Sequence, residues 1–266
     1  MRLCSIASGS SGNCIYVGSD ATHLLVDVGI SGKRTEAGLN SLGISPGELD
    51  GILVTHEHAD HISGLGVISR KFGIPIYTTE GTRQAMLENR SIGTVDPSLF
   101  HEIRADEKFV IKDLQIDPMR ISHDAAEPVA YRIRYENKRV GIATDLGVFN
   151  DYTVECLKGM DALFLEANHD VNMLQVGPYP YYLKQRILGE RGHLSNENCG
   201  RLLSRILHDD LQTIVLGHLS QENNLPELAY ETVRLEVTLG DNPYKADDFS
   251  IQVAKRNEVS PVIRIA

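Results

Sequence analysis

Within Thr55-His56-Glu57-His58-Ala59-Asp60-His61, residues 56 to 61 carry three imidazoles and the Asp60 carboxylate. These are ligand types for a divalent first-row metal. The apolar run Ile52-Leu53-Val54 before them reads as a buried strand, so the cluster stands at that strand's carboxyl end. In extended backbone His56 and His58 point the same way. Asp60 and His61 then open the following helix, where a carboxylate near the first amides is favoured. A loop that collects polar residues by chance is the competing reading. The H-x-H-x-D-H spacing directly behind a strand argues for ligands instead.

The placement recurs. His123 follows Arg120-Ile121-Ser122, Asp145 follows Val140-Gly141-Ile142-Ala143-Thr144, and His218 follows Thr213-Ile214-Val215-Leu216-Gly217. In layered α/β folds ligands gather at one end of the strands. The set His56, His58, Asp60, His61, His123, Asp145 and His218 suits two divalent ions, with Asp145 the natural bridge because a carboxylate has two oxygens. The imidazoles favour Zn²⁺, while carboxylates and water also suit Mn²⁺ or Fe²⁺. Two ions, two carboxylates and a bridging hydroxide leave roughly one net positive charge, which selects an anionic substrate attacked by that hydroxide. Phosphodiester hydrolysis is the best chemical match. A departing alkoxide needs a proton, and His193 in Gly192-His193-Leu194-Ser195-Asn196 is the candidate donor. Its bland alternative is a histidine in a helix-capping loop, and His169 is a rival donor. Asp27, at the end of Leu24-Leu25-Val26, reads either as a turn residue or as an acceptor that orients a ligand histidine.

The metal cluster resembles the signature of the metallo-β-lactamase superfamily. With Ala7-Ser8-Gly9-Ser10-Ser11-Gly12-Asn13, Gly192-His193-Leu194-Ser195-Asn196 and Gly217-His218-Leu219-Ser220-Gln221-Glu222-Asn223-Asn224, the chain is similar to its YycJ/WalJ (VicX) branch. The resemblance implies a four-layer αββα sandwich. It would assign one metal to His56, His58 and His123, the other to Asp60, His61 and His218, and the bridge to Asp145. It implies exonuclease action on DNA in the 5′-to-3′ direction. Glu166-Ala167-Asn168-His169 resembles the motif whose Glu orients a catalytic His in tRNA-processing endonucleases of the superfamily, which would make Glu166 the partner of His193. The β-lactamases of the commonest class carry Cys where this chain has Asp145, a departure from lactamase chemistry. The segment between Asp145 and His218 leaves no room for an inserted β-CASP clamp domain, so residues 1–266 are expected to form one domain.

Substrate contacts are sought in two places. The loop over residues 9–13, with Ser11 and Asn13, has the composition of a backbone nest for an anion. Tyr179, Tyr181 and Tyr182 lie among Lys184, Arg186 and Arg191, where bases would stack while cations meet phosphates. A solvated helix face explains the same charges. The net charge of −10 weakens the case for a polyanion partner, although bound metals would add positive charge locally. The alternatives are a cyclic-nucleotide or other small phosphodiesterase, a thioester or lactone hydrolase, and a non-catalytic regulator.

The elements that must position these residues follow from patterning. Strands are expected at 3–7, 14–17, 23–28, 74–78, 109–111, 114–121, 129–135, 140–143, 162–165 and 213–216, and a closing pair within 249–265. Helices are expected at 32–42, as one piece over 60–72, and at 81–90, 150–159, 196–207 and 225–239. Residues 171–191, interrupted by Gly177, Pro178 and Pro180, read as irregular. At 42% hydrophobic and 23% charged the composition is that of a globular enzyme. Apolar runs fall far short of the ~18 residues of a membrane span, and no apolar h-region follows Met1. Four cysteines without a CxxC pair are no disulfide framework, so a reduced, cytoplasmic setting is expected. Nothing in the sequence indicates the oligomeric state.

Overall fold

A computed structural model describes all residues, 1–266. The strands form two mixed sheets flanked by helices, the α/β sandwich expected from the patterning. The chain divides into two compact units, one of residues 1–120, 125–137 and 255–266, the other of residues 121–124 and 138–254.

In the first unit β1 (Arg2–Ala7), β2 (Cys14–Gly18) and β3 (His23–Val26) run antiparallel to one another. From β3 the sheet continues in parallel through β4 (Gly51–Leu53), β5 (Ile76–Thr78) and β6 (Phe100–Glu102). β4 is only three residues long and buried throughout, as a parallel strand covered on both faces must be. Ile52, Val54, Leu25 and Ile76 share one core with Leu39 of α1 (Gly32–Ser41), Leu65 and Ile68 of α3 (Leu65–Phe72) and Met86 of α4 (Glu80–Glu88). An antiparallel ribbon of β7 (Phe109–Ile111), β8 (Leu114–Arg120) and β9 (Val129–Tyr135) completes the unit's strands, apart from the terminal pair of residues Ile263–Arg264.

The helix expected over 60–72 is two helices, the four-residue α2 (Ala59–Ile62) and α3. The break has a tertiary cause. Gly64 N donates to Val28 O (2.9 Å), and a Cβ at Gly64 would stand 2.0 Å from Ile30 O. Close contact with the 28–30 segment displaces the helix ladder there, which helical periodicity cannot foresee. The expected closing pair of strands also separates. The last two strands lie at different edges: Ser250–Val253 pairs with Thr213–Gly217, and Ile263–Arg264 pairs with β1.

In the second unit β10 (Lys138–Ala143), β11 (Ala162–Glu166), β12 (Thr213–Gly217) and β13 (Ser250–Val253) are parallel neighbours in that order. Their carboxyl ends therefore share one side, which is why Asp145, Glu166 and His218 meet. The helices are α5 (Asp151–Leu157), α6 (Val171–Val176), α7 (Tyr181–Leu188), α8 (Asn196–Ile206) and α9 (Pro226–Leu239). Residues 171–191 thus hold two short helices rather than irregular chain. Asp170 caps α6 by accepting from Met173 N, Pro180 stands at the N-cap of α7, and the Gly and Pro residues mark the joint between them. α8 buries Cys199, Leu202, Leu203 and Ile206, and Ser195 caps it by accepting from Asn198 N. No helix is long and apolar enough to cross a membrane. All four cysteines are buried free thiols.

Candidate metal centre

In the first unit the chain leaves β4 extended and gathers three imidazoles. The His56 ring lies 4.6 Å from that of His58 and 4.2 Å from that of His61, centroid to centroid. Asp27, buried just beyond β3, organises them. Its Oδ1 accepts from Thr55 N (2.8 Å), and its Oδ2 accepts from Thr55 Oγ1 (2.8 Å) and His61 Nδ1 (2.7 Å). With its proton on Asp27, Thr55 Oγ1 accepts in turn from His56 Nδ1 (3.0 Å). Both rings thus use Nδ1–H as a donor, which makes Nε2 the atom that could ligate a metal. The Asp60 carboxylate, in the first turn of α2, lies 3.5 Å from His61 Nε2. Of the readings open for Asp27, the orienting acceptor matches this geometry.

Asn13 is buried against the same cluster. Its Oδ1 accepts from Gly9 N (3.0 Å), its Nδ2 donates to Gly9 O (3.2 Å) and Asp60 O (3.3 Å), and that Nδ2 lies 3.3 Å from His61 Nε2. It pins the 9–13 loop to the residues around His61. Ser11, exposed at the loop tip, accepts from Arg256 Nη1 (3.2 Å).

In the second unit the centre is Glu166, fully buried at the end of β11. Its Oε1 accepts from His193 Nδ1 and His218 Nδ1, each at 2.8 Å. Its Oε2 accepts from Leu146 N (2.8 Å) and Leu194 N (3.1 Å). Burial alone would push this carboxyl up, but the two imidazoles outweigh it and hold the pKa at about 2. Burial likewise works against protonation of His193, and the Glu166 charge overcomes it, so the His193 pKa is raised. His169 differs: burial pushes it down to about 4, and its Nδ1 faces Asn168 Oδ1 at 3.3 Å. It is neutral near pH 7 and a poor proton donor.

Asp145 Oδ1 lies 3.6 Å from His123 Nε2 and 3.6 Å from His218 Nε2. His123 Nδ1 donates to Gly192 O (3.0 Å), so here too Nε2 is the atom turned inward. These separations are too long for good hydrogen bonds. Two ligand atoms each about 2.1 Å from a tetrahedral ion stand about 3.4 Å apart, so the donors fit a metal. Asp145, Glu166, His193 and His218 all bring a ligand-type atom within 4.8 Å of one another. Asp27, Asp145 and His218 are left-handed at φ 61°, 57° and 55°. A non-glycine residue adopts that conformation at a cost of about 1–3 kcal/mol, and such residues cluster at functional sites.

Sequence reasoning missed Thr55, Asn168, whose Nδ2 donates to His218 O (2.9 Å), and Gly192. Each stands directly before a histidine inside one of the sequence motifs, Thr55 before His56, Asn168 before His169 and Gly192 before His193, and that adjacency was the only signal. A Cβ at residue 192 would stand 2.1 Å from Ile187 O and 2.4 Å from Arg186 O. Gly192→Ala is therefore expected to cost about 1–3 kcal/mol and to displace the carbonyl that orients His123. Urea denaturation with a metal titration checks this, and unchanged stability and affinity would contradict it. The basic residues of α7 are engaged internally. Lys184 Nζ donates to Gln175 O and Gly177 O, both at 2.7 Å, and Arg186 pairs with Asp124. Tyr182 is exposed.

Comparison with known proteins agrees with this chemistry. Residues 22–218 match the family described as "Beta-lactamase superfamily domain". The chain is 39% identical to exodeoxyribonuclease WalJ of Streptococcus pneumoniae over 260 residues, covering 98% of this chain and 96% of that one. It is 41% identical to exodeoxyribonuclease YycJ of Bacillus anthracis, covering 86% of each. Among solved structures, the metallo-β-lactamase fold protein YhfI from Bacillus subtilis superposes with a TM-score of 0.69 at 16% identity, over 98% of this chain and 99% of that one.

Proposed function

This chain belongs to the β-lactamase superfamily and within it to the WalJ/YycJ group, and from that premise we propose that it is a metal-dependent exodeoxyribonuclease with two divalent ions. One ion is assigned to His56, His58 and His123, the second to Asp60, His61 and His218, and Asp145 is shared. Zn²⁺ or Mn²⁺ suits the donors best, with Fe²⁺ also compatible. The orientation of His56, His61, His123 and His218 through Nδ1 supports the assignment. When bound, the ions lower the pKa of water and polarise a phosphate oxygen.

The observation that carries the reading is the Glu166 carboxylate, which ties the donor His193 to the ligand His218. With Nδ1–H held on Glu166, the transferable proton of His193 sits on Nε2, turned away from that carboxylate. The neighbouring negative charge favours the imidazolium that a leaving 3′- or 5′-alkoxide needs. After transfer the ring stays on Glu166 through Nδ1–H, so no rotation is required between turnovers. Four cysteines outside any disulfide support a reducing, cytoplasmic setting.

The test is digestion of end-labelled DNA by protein loaded with Mn²⁺ or Zn²⁺. Release of the 5′ label as mononucleotide or short oligomer is expected, with the 3′ label persisting. His193→Ala should retain its metal and lose about 10²–10⁴ in turnover. No release with either ion would sink the nuclease reading, and wild-type turnover by His193→Ala would sink the donor assignment. The net charge of −10 favours a second reading, a phosphodiesterase of small or cyclic nucleotides. It predicts turnover of those esters and none of DNA.

A further inference from the structure

The surface leading to His193 in the second unit differs in kind from what its run of basic residues suggests. Lys184 caps the carbonyls at the end of α6, and Arg186 is held by Asp124. α7 presents aromatic surface instead: Tyr181 is 76% exposed and Tyr182 73%, and Val176 at the end of α6 is 85% exposed.

These rings stand on a braced support. Pro178 and Pro180 restrict the α6–α7 joint, the Lys184 and Arg186 contacts hold the middle and last turn of α7, and His193 N donates to Ile187 O (3.1 Å). At 1.5 Å per residue, Tyr182 and Ile187 are only about 7–8 Å apart along the helix. The tyrosines are thus fixed within the span of a few nucleotides from His193. Arg191, two residues before His193, donates through Nε to His123 O (3.1 Å) and is exposed to solvent.

With a net charge of −10, and with Lys184 and Arg186 both engaged by protein acceptors, charge alone gives a weak hold on a polyanion. Bases offer the alternative, since an aromatic ring stacks on any of them. In a duplex those faces are already stacked on one another, so only an unpaired strand can use the rings. We propose that Tyr181 and Tyr182 form a stacking platform for the bases of a single-stranded DNA end delivered to His193, with Arg191 supplying one phosphate contact. The inference rests on the nuclease reading above.

The full-length, metal-loaded protein is assayed on a single-stranded oligonucleotide, and equilibrium binding of the same fluorescent oligonucleotide is followed by anisotropy. Tyr181→Ala/Tyr182→Ala is expected to raise KM and Kd about tenfold or more, while kcat and melting temperature hold. Tyr181→Phe/Tyr182→Phe should restore both, because the ring and not the hydroxyl stacks. Arg191→Gln should reduce the slope of log Kd against log salt concentration by about 0.7, the value for one phosphate of a single strand. Unchanged Kd in the alanine variant overturns the platform, as does failure of phenylalanine to rescue. A wild-type dimer that the alanine variant dissociates in sedimentation would make the patch a subunit interface and also overturn it. Loss of the nuclease reading appears separately, as wild-type protein that binds the oligonucleotide through these tyrosines and does not degrade it.

Discussion

Asp145→Ala is expected to remove most of the bound metal and to lower kcat/KM by roughly a thousandfold or more, since metal ions supply several kcal/mol of transition-state stabilisation. The Asp145 Oδ1 lies 3.6 Å from the Nε2 atoms of both His123 and His218. Asp145→Asn keeps the shape and removes the charge, so it should retain more metal than alanine and still fall well below wild type. The backbone supplies an independent check. At φ 57° an L-residue is strained where glycine is not, so chelated Asp145→Gly should melt above chelated Asp145→Ala. That order would show the conformation being kept for the carboxylate's sake, at a cost in stability. Metal per chain by mass spectrometry, steady-state turnover and melting of chelated protein are the measurements. Wild-type metal content with activity within tenfold would refute the assignment.

The candidate ligand residues were legible because each follows a short apolar strand, a local pattern that needs no knowledge of what packs where. Partners were legible only in part. Glu166 was paired with His193 through the family resemblance and Asp27 was offered as an acceptor, but contacts between residues distant in sequence could not be specified. The His61–Asp27 contact spans 34 positions and the His218–Glu166 contact spans 52. Asp27 could be read as an acceptor for some ligand histidine, but the sequence did not say that His61 is the ring it holds. Asp and His enter the left-handed region more readily than most residues, but nothing local singled out Asp27, Asp145 and His218 for it. Lys184 and Arg186, whose types suggested phosphate contacts, also have protein partners that no periodicity reports: Lys184 reaches the carbonyls at the end of α6 and Arg186 pairs with Asp124. The α6–α7 segment was read as irregular because helices of six and eight residues are too short for a 3.6-residue pattern to emerge. Its Gly and Pro residues did mark the boundary correctly.

Glu166→Gln separates the electrostatic role of this carboxylate from its shape. As a carboxylate, Glu166 accepts from four N–H donors, two on each oxygen. A glutamine can accept on one side only. Its NH₂ must face either the two imidazoles or the amides of Leu146 and Leu194, and two buried donors lose their acceptor. Each such loss costs about 1–3 kcal/mol, so a destabilisation of several kcal/mol is expected in urea. If the NH₂ faces the rings, His218 loses the contact that holds its ligating tautomer, and metal affinity should fall about 10–100-fold. His193 loses the anion that favours its protonated form, which should lower kcat in addition, by up to the 10²–10⁴ that a proton donor contributes. If the NH₂ faces the amides, the rings keep an acceptor without its charge; metal affinity then changes little while kcat still drops. Comparing metal affinity with kcat in the folded variant tells these arrangements apart. Glu166→Asp, which restores the charge on a shorter arm, should recover stability only in part because it cannot span both oxygen sites. Wild-type kcat and metal affinity in Glu166→Gln would mean that neither His193 nor His218 depends on this carboxylate.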